Sequence, residues 1–566
     1  MKKKICISLL SLISIGMLAG CGANDFNNMK TKVNVSTEDG NFVLPNDAQQ
    51  IVVSELRTVG GKTVPYVDNN PFASIGVQIR TDAFMNNDRI SMEEMEILFE
   101  KAAELGVTTV EVPVQWKDVE VGDDKWDWSY MDLLLSYCYK YDLKCELLWF
   151  GTNMCGDTHS YSTPEYILCD GKKYPKLDSN RAGEFWSYYG NMWFMDFTNE
   201  NLLEREGNAI TKVLDYVYLY DVINGQNKHP IVAFQVMNEA DCFARFRLSE
   251  KKVLSPTSSD PFEIMSQAEG WDATVNAYNR YGLAAKNSKY KVYTRVNLAK
   301  SVDGQIWNGG NVNNPPEWIK RIYNQPGIDA VGDDSYTKSI NDIKGICYMF
   351  GNNLPGNFSH IAENEGKYSN TASLILTALS QGAGYNLYDL VTPPFFINHG
   401  AAAVDQGICT LDIETMTLTN RDHFDMTASI IEGVKKAGNE ALDFNKNGTN
   451  TDFAPFNCKG DGCLKNVDQT ININNVSVRF VTTNGGVAFA IRKDNHVNIY
   501  STCAGEIYIS NANAASIKTG YYNHSTFVEE ESLTSANNFH VEEGKLYRVD
   551  YNSSSSIGNN VWGNLG

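Results

Sequence analysis

Several residue types and motifs are scarce or missing in this chain of 566 residues, and each gap closes off a class of chemistry. The eight histidines are scattered, no HExxH occurs, and no cysteine–histidine cluster has zinc-ligand spacing, so no zinc site is written in the sequence. Lys and Arg total 48 against 68 Asp and Glu, a formal charge of -20, and nothing basic is clustered. A nucleic-acid partner is excluded on that ground. No glycine-rich phosphate loop follows the first predicted strand, which removes the dinucleotide fingerprint. Beyond the N-terminus no run approaches the roughly 20 apolar residues that span a bilayer. Nothing present calls for a cofactor.

What is present begins with a leader. Lys2 to Lys4 form a charged start and Ile5 to Met17 a short apolar stretch, the pattern of a secretory signal. It ends in Leu18-Ala19-Gly20-Cys21, which resembles the bacterial lipobox. That resemblance implies cleavage after residue 20 and lipidation of Cys21; an ordinary secretory signal with a chance cysteine is the alternative. The mature protein is then expected in the cell envelope, most simply at the outer membrane. It would be tethered by its lipid only, with a polar linker over 21–37. Of the twelve cysteines, Cys458 and Cys463 are the one local pair placed to close a small loop. Cys138, Cys145, Cys347 and Cys503 lie in apolar contexts and read as buried thiols.

From about residue 72 to 390, short apolar runs alternate with helical periodicity. Strands are expected at Ser74–Ile79, Thr108–Val114, Lys144–Phe150, Ile231–Met237, Val292–Val296, Ala330–Val331 and neighbours, Phe358–Glu363 and Tyr385–Asp389. Helices are expected at Met92–Leu105, Met131–Tyr141, Asn201–Val222, Trp271–Asn287, Ser373–Gln381 and His423–Ala441. Eight such units argue for an α/β fold, a (β/α)8 barrel spanning residues 38–455 once the N-terminal strands are included. A doubly wound open sheet is the alternative. Runs such as VSVRFVTT and HVNIYST then alternate apolar and polar residues, so 465–566 is expected to form an antiparallel β-sandwich. The stretch DFNKNGTNTD at 443–452 has part of a calcium-loop spacing but Ala454 at the twelfth position, and a solvated turn suits it better.

Two of the strands end in acid. The run Ile231 to Val236 leads into Met237, Asn238 and Glu239, and Phe358 to Ala362 leads into Glu363. A carboxyl at the end of a buried strand needs a reason, because an unpaired buried charge is costly. General acid/base chemistry is one such reason. In a barrel, both acids would reach the C-terminal mouth, where active sites lie. Two carboxyls flanking one bond are what glycoside hydrolysis requires. Glu365 competes with Glu363, which follows the apolar run more directly.

These residues resemble a known group. HPIVAFQVMNEAD is similar to the strand-four motif of family 35 β-galactosidases, matching at Gln235, Val236, Asn238 and Glu239 and departing at Met237 and Ala240. The segment TTVEVPVQWKDVEVGDDKWDWSYMDLLLSYCYKYDLKCELLWFG resembles the strand-two to strand-three region of families 35 and 42. IAENEG resembles the strand-seven nucleophile motif of clan A glycosidases. The departures suggest a separate family, such as family 147. The resemblance implies a retaining enzyme with Glu239 as acid/base and Glu363 as nucleophile, acting on an oligo- or polysaccharide. An exo-acting β-galactosidase fits it best. A β-mannosidase, a β-glucosidase, an endo-acting enzyme of the clan or a surface glycan-binding lipoprotein remain open. It also implies that Asn238 binds a sugar hydroxyl and that Tyr336 holds the nucleophile ionised. Arg80 is expected to hold Glu363 or a sugar hydroxyl, and Trp149, Asn153 and Tyr388 to line the pocket. The aromatic-rich insert from Asn153 to Phe197 is expected either to wall that pocket or to pack on another subunit; the oligomeric state is left open.

Overall fold

The computed structural model describes residues 38–153, 162–175, 195–225, 227–240, 267–298, 317–399, 404–443, 452–457, 465–473, 476–493 and 495–551. Eight parallel strands close a barrel. In chain order they are Ile75–Gln78, Thr109–Gln115, Lys144–Phe150, Ile231–Gln235, Tyr293–Leu298, Ala330–Asp334, His360–Glu365 and Gly384–Tyr388, named below as strands one to eight. Strand eight pairs with strand one, so the sheet has no edge. The (β/α)8 expectation is borne out and the open-sheet alternative falls.

The strands are buried because both faces are covered: helices pack on the outward apolar side chains, and the inward ones, several of them polar such as Glu111, Glu146 and Arg295, fill the barrel. The helix Glu200–Tyr218 shows how the outer layer is written. Leu202, Leu203, Ile210, Val213, Leu214 and Val217 recur on one buried stripe, and the Asn199 side chain caps the first turn through Leu202 N. Alternation along each strand decides which residues enter the barrel. Glu146 and Phe150 face inward on strand three, so Trp149 between them faces the helices.

Strand seven breaks that rule. Its pairing register shifts against strand six between Asp333 and Asp334, and against strand eight between Ile361 and Asn364. His360 faces the interior beside Glu111 and Glu146, and a regular strand would then send Glu363 outward. The irregularity turns Glu363 inward instead and Asn364 outward. The Asn364 amide donates to Tyr385 Oη at 2.8 Å and to Thr337 O at 2.9 Å. Bulges that re-aim a side chain are common beside active sites.

Two smaller layers flank the barrel. Ser54–Val59, Lys62–Val67 and Asn70–Pro71, the expected N-terminal strands, form a three-stranded antiparallel sheet. It covers the N-terminal end of the barrel: Ser54 Oγ donates to Val232 O at 2.6 Å and accepts from Tyr293 N at 3.1 Å. The C-terminal residues form stacked antiparallel sheets of six and four strands around a core that includes Phe456, Phe480, Val497, Ile507 and Val549. Phe453–Phe456 pairs with Ala488–Arg492 in the six-stranded sheet, so the sandwich begins before residue 465. The leader, the linker, Cys21, Cys458, Cys463, residues 444–451 and the insert aromatics Tyr161, Trp186, Tyr188, Tyr189 and Trp193 lie outside the described residues.

Candidate active site

The C-terminal mouth collects acids from three strands. Glu239 follows strand four, Asp334 ends strand six, and Glu363 lies near the end of strand seven, with Asp334 and Glu363 as pairing partners. Asp334 is fully buried, Glu363 is 6 % exposed and Glu239 is half-buried.

Glu363 is held from two sides. Gln78, from strand one, donates to its Oε1 at 3.2 Å, and the Tyr336 hydroxyl donates to its Oε2. Burial pushes the Glu363 carboxyl above its usual range, while Tyr336, Arg80, Gln78 and Arg295 act against that shift. Glu365, the rival, is occupied elsewhere. It pairs with Lys367 at 3.0 Å and accepts from Gln406 Nε2 at 2.8 Å.

The acid on strand four is placed by a strained turn. Met237 and Glu239 hold φ of 60° and 46°, and Tyr336 across the mouth holds 46°. Left-handed backbone at non-glycine residues costs about 1–3 kcal/mol each and persists only where the surroundings enforce it. Asn297, from strand five, supplies that enforcement: its Oδ1 accepts from Glu239 N at 3.1 Å. Its Nδ2 donates to Asn238 Oδ1 and to Asp334 Oδ2, both at 3.0 Å. Gln235 Nε2 also donates to Asn238 Oδ1 at 3.0 Å, which fixes the direction of the Asn238 amide.

Arg80, 5 % exposed, forms a bidentate pair with Asp82 at 2.8 and 2.7 Å and donates to Tyr388 Oη at 3.1 Å. It lies over the rings of Phe150 and Phe396, 5.6 and 4.9 Å from their centroids. Burial works against its charge, but Asp82, Tyr388 and Glu363 hold the guanidinium firmly protonated. This is a buried pair at the mouth. Tyr388 meets Tyr336 edge-on at 5.7 Å, whereas Tyr385 on the same strand faces the helices.

Two expected pocket residues lie elsewhere. Trp149 is fully buried and turned outward, its Nε1 donating to Glu206 Oε1 at 2.9 Å. Glu206 also accepts from Thr152 N at 3.1 Å and Tyr281 Oη at 2.7 Å. Strand parity set by Glu146 is the reason, and Phe150 is the inward aromatic. Asn153 uses both polar atoms of its amide on the backbone of Met195, at 2.8 Å each. It ties together the two ends of the insert and does not line the site. In the described part of that insert, Tyr174 is buried and the Tyr166 hydroxyl bridges Arg205 Nε and Glu120 Oε1, at 2.8 Å each.

Gln78, Asn297 and Asp334 were missed from the sequence. Gln78 lies two residues before Arg80 and so shares its face. Asn297 lies in strand five among other polar residues, Thr294 and Arg295, so nothing in the run singled it out. Asp334 closes a buried strand in acid, the same mark that singled out Glu239.

Below the mouth, Arg295 donates to Glu146 Oε2 at 2.8 Å, to Gln235 Oε1 at 2.6 Å and to Glu111. Glu111, Glu146 and His360 bring possible metal-ligand atoms within 4.8 Å of one another. The Arg295 guanidinium already pairs with both carboxylates, and burial pushes Glu111 well above its usual range, so the cluster is an ion-pair network that fills the barrel.

The family model described as "Domain of unknown function (DUF4978)" matches residues 273–462, a span that includes Glu363 and Asp334 but not Glu239. No curated protein matches the sequence. Among solved structures, the chain is similar to the exo-beta-1,4-mannosidase Op5Man5 from Opitutaceae bacterium strain TAV5, at 12 % identity and a TM-score of 0.43 over 68 % of this chain and 63 % of that one. It is also similar to a beta-galactosidase from the haloarchaeon Halorubrum lacusprofundi, at 10 % and 0.41 over 64 % and 58 %. A GH30 endoxylanase from Clostridium papyrosolvens C71 aligns at 12 % and 0.37 over 85 % and 97 %. The chain thus spans less than two thirds of the first two of these proteins.

Proposed function

We propose that this chain is a retaining β-glycoside hydrolase, with Glu363 as nucleophile and Glu239 as acid/base. The observation that carries the reading is the contrast between the two carboxyls. Glu363 is buried, turned inward by a register break and held by Tyr336 and Gln78. Glu239 stands at the end of strand four on a strained turn fixed by Asn297. A binding protein has no physical need to hold a buried carboxylate ready for attack beside a second acid.

In the first step a Glu363 oxygen bonds to the anomeric carbon as the bond to the leaving oxygen breaks, and the Glu239 proton passes to that oxygen. In the second, water loses a proton to Glu239 and attacks the anomeric carbon, releasing the Glu363 carboxylate. Asn238, adjacent to the acid, binds a hydroxyl of the sugar. The finer reading is an exo-acting β-galactosidase, supported by the match of Gln235, Val236, Asn238 and Glu239 to the family 35 motif. Residence in the cell envelope on a lipid at Cys21 belongs to the same proposal.

The test is hydrolysis of aryl β-galactoside, glucoside, mannoside and arabinoside by the purified protein, with E363A as control. Release from the galactoside alone, lost in E363A, supports the whole reading. Release from another member keeps the mechanism and overturns the sugar. Silence across the panel, with glycan binding retained, points to an endo-acting enzyme that needs a longer chain or to a binding protein, and cleavage of the bound glycan by wild type but not by E363A separates the two.

A further inference from the structure

The rim of the mouth holds a cavity that the acids of strands four, six and seven do not line. Its volume is about 380 Å³, within the range of roughly 300–1,000 Å³ that small-molecule sites occupy. Its walls come from the loops after strands two and three, with Lys117 and Asp118 on one and Thr163, Pro164 and Leu168 on the other. Gln115, the last residue of strand two and 1 % exposed, holds these loops together. Its Oε1 accepts from Asn86 Nδ2, after strand one, at 2.9 Å and from Ser162 Oγ at 3.2 Å. Its Nε2 donates to Asp118 Oδ2 at 2.7 Å. Lys117 N donates to Ser162 O at 2.8 Å, which fixes one wall against the other.

Asp118 is the group this frame presents. Gln115 is the one hydrogen-bond donor it meets among the described residues, and that bond uses Oδ2. A half-buried carboxylate so held is costly unless a further donor reaches it. Lys117, beside it, donates to Asn86 Oδ1 at 3.3 Å, which leaves ammonium hydrogens for a ligand. Glu120, which also lines the cavity, is taken up by Arg205, Tyr166 and Trp116. The other wall is apolar at Pro164 and Leu168. A carboxylate acceptor and an ammonium donor facing an apolar wall suit a pyranose, which has hydroxyls at its edge and C–H groups on its face. We infer that this cavity is a second sugar subsite, which holds a pyranose unit of a glycan through Asp118 and Lys117, away from the bond that is cleaved. That the occupant is a sugar rests on the glycosidase reading; the cavity and its positioned carboxylate do not.

The test measures binding and needs no turnover: calorimetric titration of the full chain, carrying E239Q, with β-linked galacto-, gluco-, manno- and xylotetraose. At least one tetraose is expected to bind. D118A in the same background should weaken it by about 10- to 100-fold, the worth of hydrogen bonds to a charged group. L168R fills the cavity from its apolar wall and leaves Gln115 and Asp118 in place. It should also weaken binding at least about tenfold, and it decides the matter if D118A does not fold. Affinity unchanged in both variants, or no tetraose bound at all, overturns the subsite. A monosaccharide iminosugar held at Glu363 separates the sources of the sugar. Competition with the tetraose places the bound unit on the chain that enters the mouth; independent binding places it on a separate glycan. Tetraose binding that depends on Asp118, with no glycoside hydrolysed by wild type, keeps the subsite and overturns the glycosidase. Hydrolysis by wild type with binding indifferent to both substitutions does the reverse.

Discussion

Tyr336 and Glu363 show how a single hydrogen bond sets the charge of a buried group. Removing the Tyr336 hydroxyl takes away the largest influence opposing burial at Glu363, so the carboxyl protonates at higher pH. In Y336F the acid limb of kcat/KM therefore moves up in pH. A hydrogen bond to a charged group is worth about 1.5–3 kcal/mol, so kcat/KM at the optimum falls by roughly 10- to 100-fold. A pH–rate profile of the variant beside wild type checks both. Trp149 makes the opposite case. Its indole supports Glu206 behind strand three and does not reach the mouth. W149F should cost about 1–3 kcal/mol of stability in urea unfolding, because Glu206 loses a buried donor, and should leave KM within about twofold, since a pocket contact would be worth more than that. A large rise in KM with stability unchanged would return Trp149 to the pocket.

At the scale of elements, Arg295 joins strand five to strands two, three and four through Glu111, Glu146 and Gln235. R295M leaves two buried carboxylates without their cation and should destabilise the fold by about 3–5 kcal/mol. Glu111, which burial already holds well above its usual range against the pull of Arg295, rises further without it. Its contribution is therefore intact at acid pH and is lost as pH rises through the folded value. The deficit, read from urea midpoints, should be larger at pH 8 than at pH 5. Much of this layer was legible in sequence: the apolar runs and acid endings marked strands four and seven. The inward turn of Glu363 was not, because it depends on a register break against both neighbours. Strand pairing is not written in either strand alone. The same limit hid the outward direction of Trp149, although Glu146 on the same strand fixes the parity once its partner Arg295 is known. Asn153 failed differently, since its partner Met195 lies at the far end of a long insert.

At the scale of the whole molecule, the sandwich packs on the helix Phe424–Ala437. Tyr500 approaches so closely that a Cβ at Gly433 would lie 2.4 Å from its ring, and Ser429 and Lys436 add bonds of 3.0 and 2.8 Å to Tyr500 and Gly544 O. G433V should break this seat, at about 1–3 kcal/mol for overpacking. Calorimetry should then resolve separate unfolding of barrel and sandwich where the wild type is expected to unfold as one; a single undisturbed transition in G433V would show that this seat does not hold the two together. The boundary between the two was misplaced in sequence because Phe453–Phe456 is short and its pairing partner lies more than thirty residues on.

The central claim is that Glu363 attacks the sugar. The most direct measurement is mass spectrometry of peptides from the protein after reaction with an activated fluoro-sugar β-glycoside, which slows release of a glycosyl-enzyme enough to trap it. The account predicts one added glycosyl mass on the peptide carrying Glu363, localised by fragmentation to that residue and absent in E363A. A label on Glu365, or turnover of the parent glycoside with inversion and no label at all, would contradict it.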